Sequence, residues 1–167
     1  YLQKNKDNNT FAIANVENAS HGFGLTEKNY NELLNAGFDC FTSGNHIWDK
    51  KDIFAYIDSA EKLIWPINYP KKTKDEGYKI FELTNGVKIG VINALGQTFM
   101  SPVDSPFEYF RKYIKHNIRM TSSDIVIEPL NTGGDAMRVY HFAEDFLKKE
   151  VINILGKMQI VLIWELI

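Results

Sequence analysis

Cysteine is almost absent from this sequence, which contains a single one, Cys40, among 167 residues. A lone cysteine cannot form an internal disulfide, so we expect a buried, structural thiol and a reducing compartment, the cytoplasm. No sign of charge dominates either, because the formal net charge is −2. This near balance gives no electrostatic reason to expect a membrane surface or a stable nucleic-acid complex as a partner.

Long apolar runs and glycine fingerprints are also missing. The last apolar run, residues 160–164, is too short to span a bilayer, and the polar residues 1–10 show no cleavable secretion signal. His21-Gly22-Phe23-Gly24 lacks the third glycine of a dinucleotide-binding fingerprint and lies too far beyond the preceding strand, so we expect a flexible loop there. A membrane-spanning protein and a Rossmann-type dinucleotide binder are therefore not expected.

The sequence does contain alternating strands and helices around enough hydrophobic residues, 44%, for one sizeable core. Apolar runs predict strands at 11–14, 38–43 and 124–127, a strand-like segment at 159–167, and a hairpin of 78–84 with 87–94. Helices are predicted between the N-cap Thr26 and the stop Gly37, from the N-cap Asp49 to Ala60, and at 106–117. Asn85-Gly86 predicts a type I′ turn in the hairpin. The alternation predicts an α/β fold.

Two short polar signatures follow the first two predicted strands. Asn15-Val16-Glu17-Asn18 comes after strand 11–14, and Gly44-Asn45-His46 comes after strand 38–43, with one helix between them. A strand–helix–strand succession of this length joins parallel strands, so both signatures should emerge at one edge of the sheet, where open α/β sheets bind ligands. A carboxylate, carboxamides and an imidazole suit hard or borderline metal ions and phosphate esters.

Each of these residues also has an ordinary explanation. Glu17 has the position of a solvent-facing loop glutamate, Asn18 and Asn45 are typical turn formers, and a loop histidine such as His46 is usually just solvated. Histidine side chains ordinarily titrate near neutrality, so His46 could equally donate a proton to a leaving alkoxide. The two signatures occupy equivalent topological positions, which makes a functional role more plausible for both.

Several sequence blocks resemble the YmdB-like family of metallophosphoesterases. The matching blocks are residues 14–19, 22–26, 44–51, 65–70 and 93–100, and the likeness covers roughly residues 11–127. Gly44-Asn45-His46 alone is shared by many calcineurin-like phosphoesterases. Its combination with Glu17-Asn18 and Trp48-Asp49-Lys50 is more specific.

The resemblance implies a metallophosphoesterase-type αββα sandwich with a dinuclear metal site that hydrolyses 2′,3′- or 3′,5′-cyclic nucleotides. Glu17 would bridge two divalent or trivalent ions, Asn18 would bind one of them, and Asn45 would bind the other. Iron is the expected metal, with manganese as the alternative. His46 would donate a proton to the departing oxygen. A small-molecule phosphodiester or nucleotide is the expected partner, and a homo-oligomer is left open.

The sequence also departs from the family pattern. The family's opening Gly-Asp strand is absent. Glu128-Pro129-Leu130 stands where the first of the family's later histidine blocks would lie, and the second block is absent. His141 echoes that block at a displaced position and is a weak candidate for a ligand. We therefore expect a metallophosphoesterase-like domain at 1–127, lacking its first strand, and a divergent tail at 128–167.

These departures lead to two alternative functional hypotheses. The first is an incomplete copy of the enzyme that binds metal weakly and turns over slowly or not at all. The second is a non-catalytic remnant that binds a nucleotide or another partner through the same sheet edge. An unrelated Rossmann-like nucleotide binder would need a glycine fingerprint at the first strand, which the sequence does not show.

Overall fold

The computed structural model describes residues 2–69, 77–97 and 102–109, and the backbone of residues 158–165. The helices and strands are α1 (Leu2–Asn5), β1 (Ile13–Asn15), α2 (Glu27–Asn35), β2 (Cys40–Thr42), α3 (Ile53–Tyr56), β3 (Leu63–Ile64), β4 (Tyr78–Glu82), β5 (Lys88–Leu95) and β6 (Met158–Glu165). Two 3₁₀ helices, Asn45–Trp48 and Ile57–Ser59, flank α3. The chain divides into two compact units, Tyr1–Trp65 and Pro66–Ile167. In the part that the structure describes, no helix has both the length and the hydropathy to cross a membrane.

The first unit contains a parallel three-stranded sheet in the order β1-β2-β3. Ile13 lies opposite Cys40 and Asn15 lies opposite Thr42, so β1 and β2 end side by side. The predicted parallel crossover is confirmed, with α2 as its connecting helix. Cys40 is fully buried, as expected of a structural thiol. Other fully buried side chains of this unit are Leu25, Phe41, Ile47, Ile53, Leu63 and Ile64.

Helix α2 begins and ends where the sequence predicts. The Thr26 Oγ1 accepts a hydrogen bond from the Asn29 N–H at 3.3 Å, which satisfies one of the donors that a helix start leaves unpaired. Tyr30 is buried on the face that packs into the unit. After the helix, Gly37 has φ of 103°, a left-handed conformation that glycine adopts at low cost. Its N–H donates to the Leu34 carbonyl at 3.0 Å, which closes the helix end.

The prediction that Asp49 begins a helix is wrong. Asp49 follows the 3₁₀ helix Asn45–Trp48, and its Oδ2 lies 2.7 Å from Nδ1 of His46. Helix α3 begins only at Ile53. The carboxylate of Asp49 is engaged by the imidazole, so it is not the cap of a following helix.

The second unit contains the sheet β4-β5-β6, in which β4 and β5 form the predicted antiparallel hairpin. The type I′ turn prediction is wrong. Gly86 has φ of 82°, but among the described residues His21 is the only non-glycine residue with a positive φ, so Asn85 does not have one. The Leu83 N–H donates to the Val87 carbonyl at 2.8 Å and the Gly86 N–H to the Leu83 carbonyl at 2.9 Å. These bonds close a three-residue loop that ends on a left-handed glycine.

Strand β6 pairs with β5 in parallel, which confirms a strand within 159–167 as far as residue 165. The core of this unit includes the buried side chains Ile89, Val91, Ile92, Ala94 and Leu95 of β5. The helix predicted at 106–117 is confirmed at residues 106–109, and its residues 110–117 lie outside the described part of the chain. The strand predicted at 124–127 and His141 lie outside the described residues. The boundary predicted after residue 127 stays a prediction.

Candidate active site

The two polar signatures leave adjacent strands at the same edge of the first sheet. The Val16 N–H donates to the Thr42 carbonyl at 2.8 Å, one residue beyond the last paired position of β1. Glu17 and Asn18 follow Val16 directly, while Asn45 and His46 begin the 3₁₀ helix that follows β2. The structure thus brings together the two segments that carry all four predicted site residues.

Glu17 is buried, with 8% of its surface exposed. Its backbone is fixed on both sides, because its N–H donates to the Asn15 Oδ1 at 3.0 Å and its carbonyl accepts from the Gly24 N–H. A carboxylate so far removed from water needs compensation by hydrogen bonds or positive charge. The alternative of a solvent-facing loop glutamate is therefore excluded.

The two asparagines differ in their surroundings. The Asn45 Oδ1 is buried and has no hydrogen-bond partner within residues 2–69, 77–97 and 102–109. A buried amide oxygen without a partner is costly, which makes it a candidate for binding a ligand or a cation. Asn18 is exposed, and its carbonyl accepts the Gly22 N–H at 3.2 Å. Asn18 thus also performs the turn-forming role that the sequence left open.

His46 is held by the carboxylate of Asp49, with the Nδ1 and Oδ2 atoms 2.7 Å apart. An ionised carboxylate can only accept hydrogen bonds, so Nδ1 must be the donor. This fixes the orientation of the ring and leaves Nε2 as the nitrogen that can exchange a proton with a substrate. Sequence reasoning missed Asp49 as the partner of His46. The three-residue spacing between them was the available signal, since a 3₁₀ turn brings such residues together.

A second residue that sequence reasoning missed is Phe23. Its ring contacts the ring of His46 edge to face, with centroids 5.1 Å apart and planes inclined by 75°. Phe23 is 53% exposed, which is unusual for a large apolar side chain beside a polar site. No periodic pattern in the sequence signals this contact, because a loop positions the ring.

Tyr56 supports the segment that leads from this loop into helix α2. Its buried hydroxyl donates to the Leu25 carbonyl at 2.8 Å. Burial raises the pKa of Tyr56 well above its usual range, with smaller contributions from the negative charges of Asp52 and Glu27. Burial also raises the pKa of Tyr30, whose hydroxyl accepts the Lys62 N–H at 3.2 Å. Both phenols therefore stay neutral and act as structural hydrogen-bonding groups.

The oxygen donors of the site fit a hard or borderline metal ion. Glu17 offers a buried carboxylate and Asn45 a buried amide oxygen, the donor types that such cations prefer. Across the part of the chain that the structure describes, no group of three or more histidine, cysteine, aspartate or glutamate side chains could hold a metal.

Comparisons with known proteins place the sequence in a family. A model of the family described as YmdB-like protein matches residues 1–130. Over 97 residues, or 58% of this chain, the sequence is 48% identical to a Bacillus subtilis (strain 168) protein named 2′,3′-cyclic-nucleotide 2′-phosphodiesterase. The match covers 36% of that relative, so this chain spans little more than a third of its length.

Two solved structures resemble the chain along most of its length. A hypothetical protein from Thermus thermophilus has a TM-score of 0.70 and 30% sequence identity, over 84% of this chain and 53% of that one. A novel phosphatase from Mycoplasma pneumoniae has a TM-score of 0.67 and 29% identity, over 86% and 52%. These similarities confirm the metallophosphoesterase-type α/β fold class. The family model covers 130 of the 167 residues, including both polar signatures. The chain therefore belongs to the YmdB-like protein family.

Proposed function

We propose that this chain carries part of the active site of a metal-dependent phosphoesterase. The proposed reaction is hydrolysis of a phosphodiester, with 2′,3′- or 3′,5′-cyclic nucleotides as substrates. The name of the Bacillus subtilis relative supports 2′,3′-cyclic nucleotides within this substrate class. The observation that carries the proposal is the buried Asn45 Oδ1, which has no hydrogen-bond partner among the described residues. Glu17, which is also buried, follows the neighbouring strand at the same sheet edge.

The proposed metal ligands are Glu17, Asn18 and Asn45, with Glu17 as the bridging carboxylate. Iron is the proposed metal, with manganese as the alternative. When bound, the cations would neutralise charge on the phosphoryl oxygens. The Asn18 side chain is exposed, and its backbone is fixed because its carbonyl accepts the Gly22 N–H.

His46 is the proposed general acid. The Asp49 carboxylate accepts a hydrogen bond from Nδ1–H of His46 and stabilises the positively charged imidazolium. As a water oxygen bonds to phosphorus and releases a proton to solvent, the bond between phosphorus and the leaving oxygen breaks. The proton on Nε2 then passes to that leaving oxygen, and the imidazole becomes neutral. A histidine in this role contributes about 10²- to 10⁴-fold to the rate.

Metal analysis and hydrolysis of adenosine 2′,3′-cyclic phosphate by the purified chain test the proposal. We expect Glu17→Gln to lower both metal content and turnover, and His46→Ala to lower turnover at unchanged metal content. Glu32→Gln, on the exposed surface of helix α2, is the matched control and should change neither. Equal loss of metal and turnover in His46→Ala would contradict its role as an acid.

The same measurements test whether the 167-residue chain is impaired on its own. Weak metal binding with slow turnover is the expected result. A stoichiometric two-metal site with normal turnover would contradict impairment. Nucleotide binding without any turnover at saturating metal would instead favour the non-catalytic binding module.

A further inference from the structure

The loop that follows Glu17 holds an exposed aromatic side chain next to the proposed general acid. Phe23 is 53% exposed, and its ring meets the His46 ring edge to face at 5.1 Å. The residues on either side of it in the loop are glycines, and His21 before them is also exposed. An exposed phenyl ring with such neighbours offers one planar apolar surface within polar surroundings. This is a suitable surface for a single flat ligand group.

The backbone of this loop is fixed at both ends. The Gly24 N–H donates to the Glu17 carbonyl, and the Gly22 N–H donates to the Asn18 carbonyl at 3.2 Å. His21, Gly22 and Gly24 all have positive φ angles of 60°, 88° and 67°. The loop is therefore a compact left-handed turn tied directly to two of the proposed metal ligands, and the position of Phe23 is coupled to theirs.

The loop also packs closely against the segment that carries His46. A Cβ atom on Gly24 would lie 2.8 Å from Cγ of Lys50 and 3.0 Å from the His46 carbonyl oxygen. Only glycine allows the two backbones to approach so closely. The same contact that requires Gly24 thus holds the Phe23 ring beside the imidazole.

We propose that Phe23 is a specificity-determining residue whose exposed ring stacks on the nucleobase of the substrate. This inference rests on the proposed phosphodiesterase function. The leaving oxygen belongs to the sugar and must lie next to Nε2 of His46 when it takes the proton. The base attached to that sugar is planar and lies close by, so the ring next to His46 is placed to contact it. Phosphodiesters without a base would gain nothing from this ring.

Steady-state hydrolysis of two substrates tests this proposal. The first is adenosine 2′,3′-cyclic phosphate, and the second is glycerol 1,2-cyclic phosphate, which has the same ester ring but no base. Loss of base–aromatic stacking in Phe23→Leu should lower kcat/KM for the nucleotide roughly 5- to 100-fold, mainly through KM. The value for the glycerol ester should stay unchanged, and Phe23→Trp should retain nucleotide activity.

Phe54→Leu is the matched control, since Phe54 is 64% exposed in the same unit but stacks on Trp48. Phe54→Leu should leave kcat/KM unchanged for both substrates. Titration of the metal-free chain with adenosine 3′-phosphate and with glycerol 3-phosphate, followed by calorimetry, gives a readout that does not need turnover. In this titration, Phe23→Leu should weaken the binding of adenosine 3′-phosphate by a similar factor and leave the binding of glycerol 3-phosphate unchanged.

The outcomes separate the two proposals. Equal losses on both substrates, or failure of Phe23→Trp to retain activity, would show a structural role and overturn the stacking proposal while leaving the phosphodiesterase intact. No hydrolysis of either ester at saturating metal, with nucleotide binding that depends on Phe23, would overturn the proposed function and support stacking. Absence of both hydrolysis and nucleotide binding would overturn both.

Discussion

The two sheets in the described part of the chain differ in the length of their strands. In the first sheet, β1 and β2 have three residues each and β3 has two. In the second, β4 has five residues and β5 and β6 have eight each. Short strands form few backbone ladder bonds, so the first unit depends on side-chain packing and on loop hydrogen bonds. The proposed active site lies on those loops, where polar groups can be positioned without interrupting a longer ladder.

The largest expected effect comes from truncating the core of the first sheet. Phe41 in β2 is fully buried, and Phe41→Ala should lower the free energy of unfolding by about 3–5 kcal/mol. Ile92→Ala in β5 is the counterpart in the second sheet, with an expected loss of about 2–5 kcal/mol. Hydrogen exchange should show each variant losing protection mainly in its own unit.

A substitution of an exposed side chain serves as the control for these two core truncations. Ile80→Ala in β4 removes a side chain that is 49% exposed, and it should change stability by less than about 0.5 kcal/mol. Equal loss of protection in both sheets after Phe41→Ala would mean that the two units unfold as one. It would contradict the contrast between a first unit that depends on side-chain packing and a second unit that depends on backbone hydrogen bonds between strands.

A second test addresses the loop that follows the first polar signature and packs against the second. Gly24→Ala should destabilise the chain by more than the 1–2 kcal/mol or so that a left-handed non-glycine residue costs, because its Cβ meets the His46 carbonyl and Lys50. Gly22→Ala is the matched variant, since it has φ of 88° and nothing within 4 Å of its Cβ. Thermal unfolding measures both, and equal losses would contradict the close approach.

A third test concerns the side-chain bonds that flank β1. The Asp39 carboxylate accepts bonds from the Lys6 ammonium and, at 2.8 Å, from the Ala12 N–H. Asp39→Asn should cost about 1–3 kcal/mol, because partly buried groups lose charge-assisted bonds. Lys28→Met removes an exposed pair with Glu32 at 3.9 Å and should cost less than about 0.5 kcal/mol. Chemical denaturation measures the free energy of unfolding of both variants. A larger loss in Lys28→Met than in Asp39→Asn would contradict the prediction.

Apart from the control variants, the smallest effect is expected from substituting a buried tyrosine, and this effect depends on pH. Burial raises the pKa of Tyr56 above its ordinary value of 10.0, so the neutral form is favoured in the folded state. Its contribution to stability is complete below pH 10 and is lost as pH rises from there towards the folded pKa. Tyr56→Phe should cost about 1 kcal/mol at neutral pH, because the bond to the Leu25 carbonyl is lost.

The alkaline loss of stability should be smaller in Tyr56→Phe than in the parent chain. Denaturant unfolding at pH 8 and at a series of values above pH 10 measures both slopes. Identical slopes would mean that Tyr56 does not couple folding to ionisation. Burial also raises the pKa of Tyr30, another phenol among the described residues, so Tyr30 would then be the next group to test.

Local sequence signals predicted the first unit well where short-range chemistry decides. The cap at Thr26, the stop at Gly37 and the parallel pairing of β1 with β2 all follow from residue type and spacing. Two predictions failed because a side-chain contact and a loop length were not considered. Asp49 binds His46 instead of capping a helix, and Asn85 lies in a three-residue loop in which Gly86 alone takes the positive φ.

The candidate site was predictable in its position but not in its environment. The ends of parallel strands placed Glu17 and Asn45 at one edge, as expected. Burial of the Glu17 side chain and of the Asn45 Oδ1 depends on the packing of the whole unit, which spacing alone does not encode. The contact of Phe23 with His46 depends on left-handed loop angles and on a close backbone approach, neither of which leaves a periodic pattern in the sequence.

The reactivity of the buried Cys40 thiol can be used to measure opening of the first sheet. Cys40 is the single cysteine of the chain and has no exposed surface, on the strand that lies between β1 and β3. A thiol reagent in solution can reach it only when that sheet opens. The rate at which the native protein is modified therefore counts opening events at the base of the proposed active site. Adding substrate or metal should slow that rate in proportion to how firmly each holds the two strand ends together.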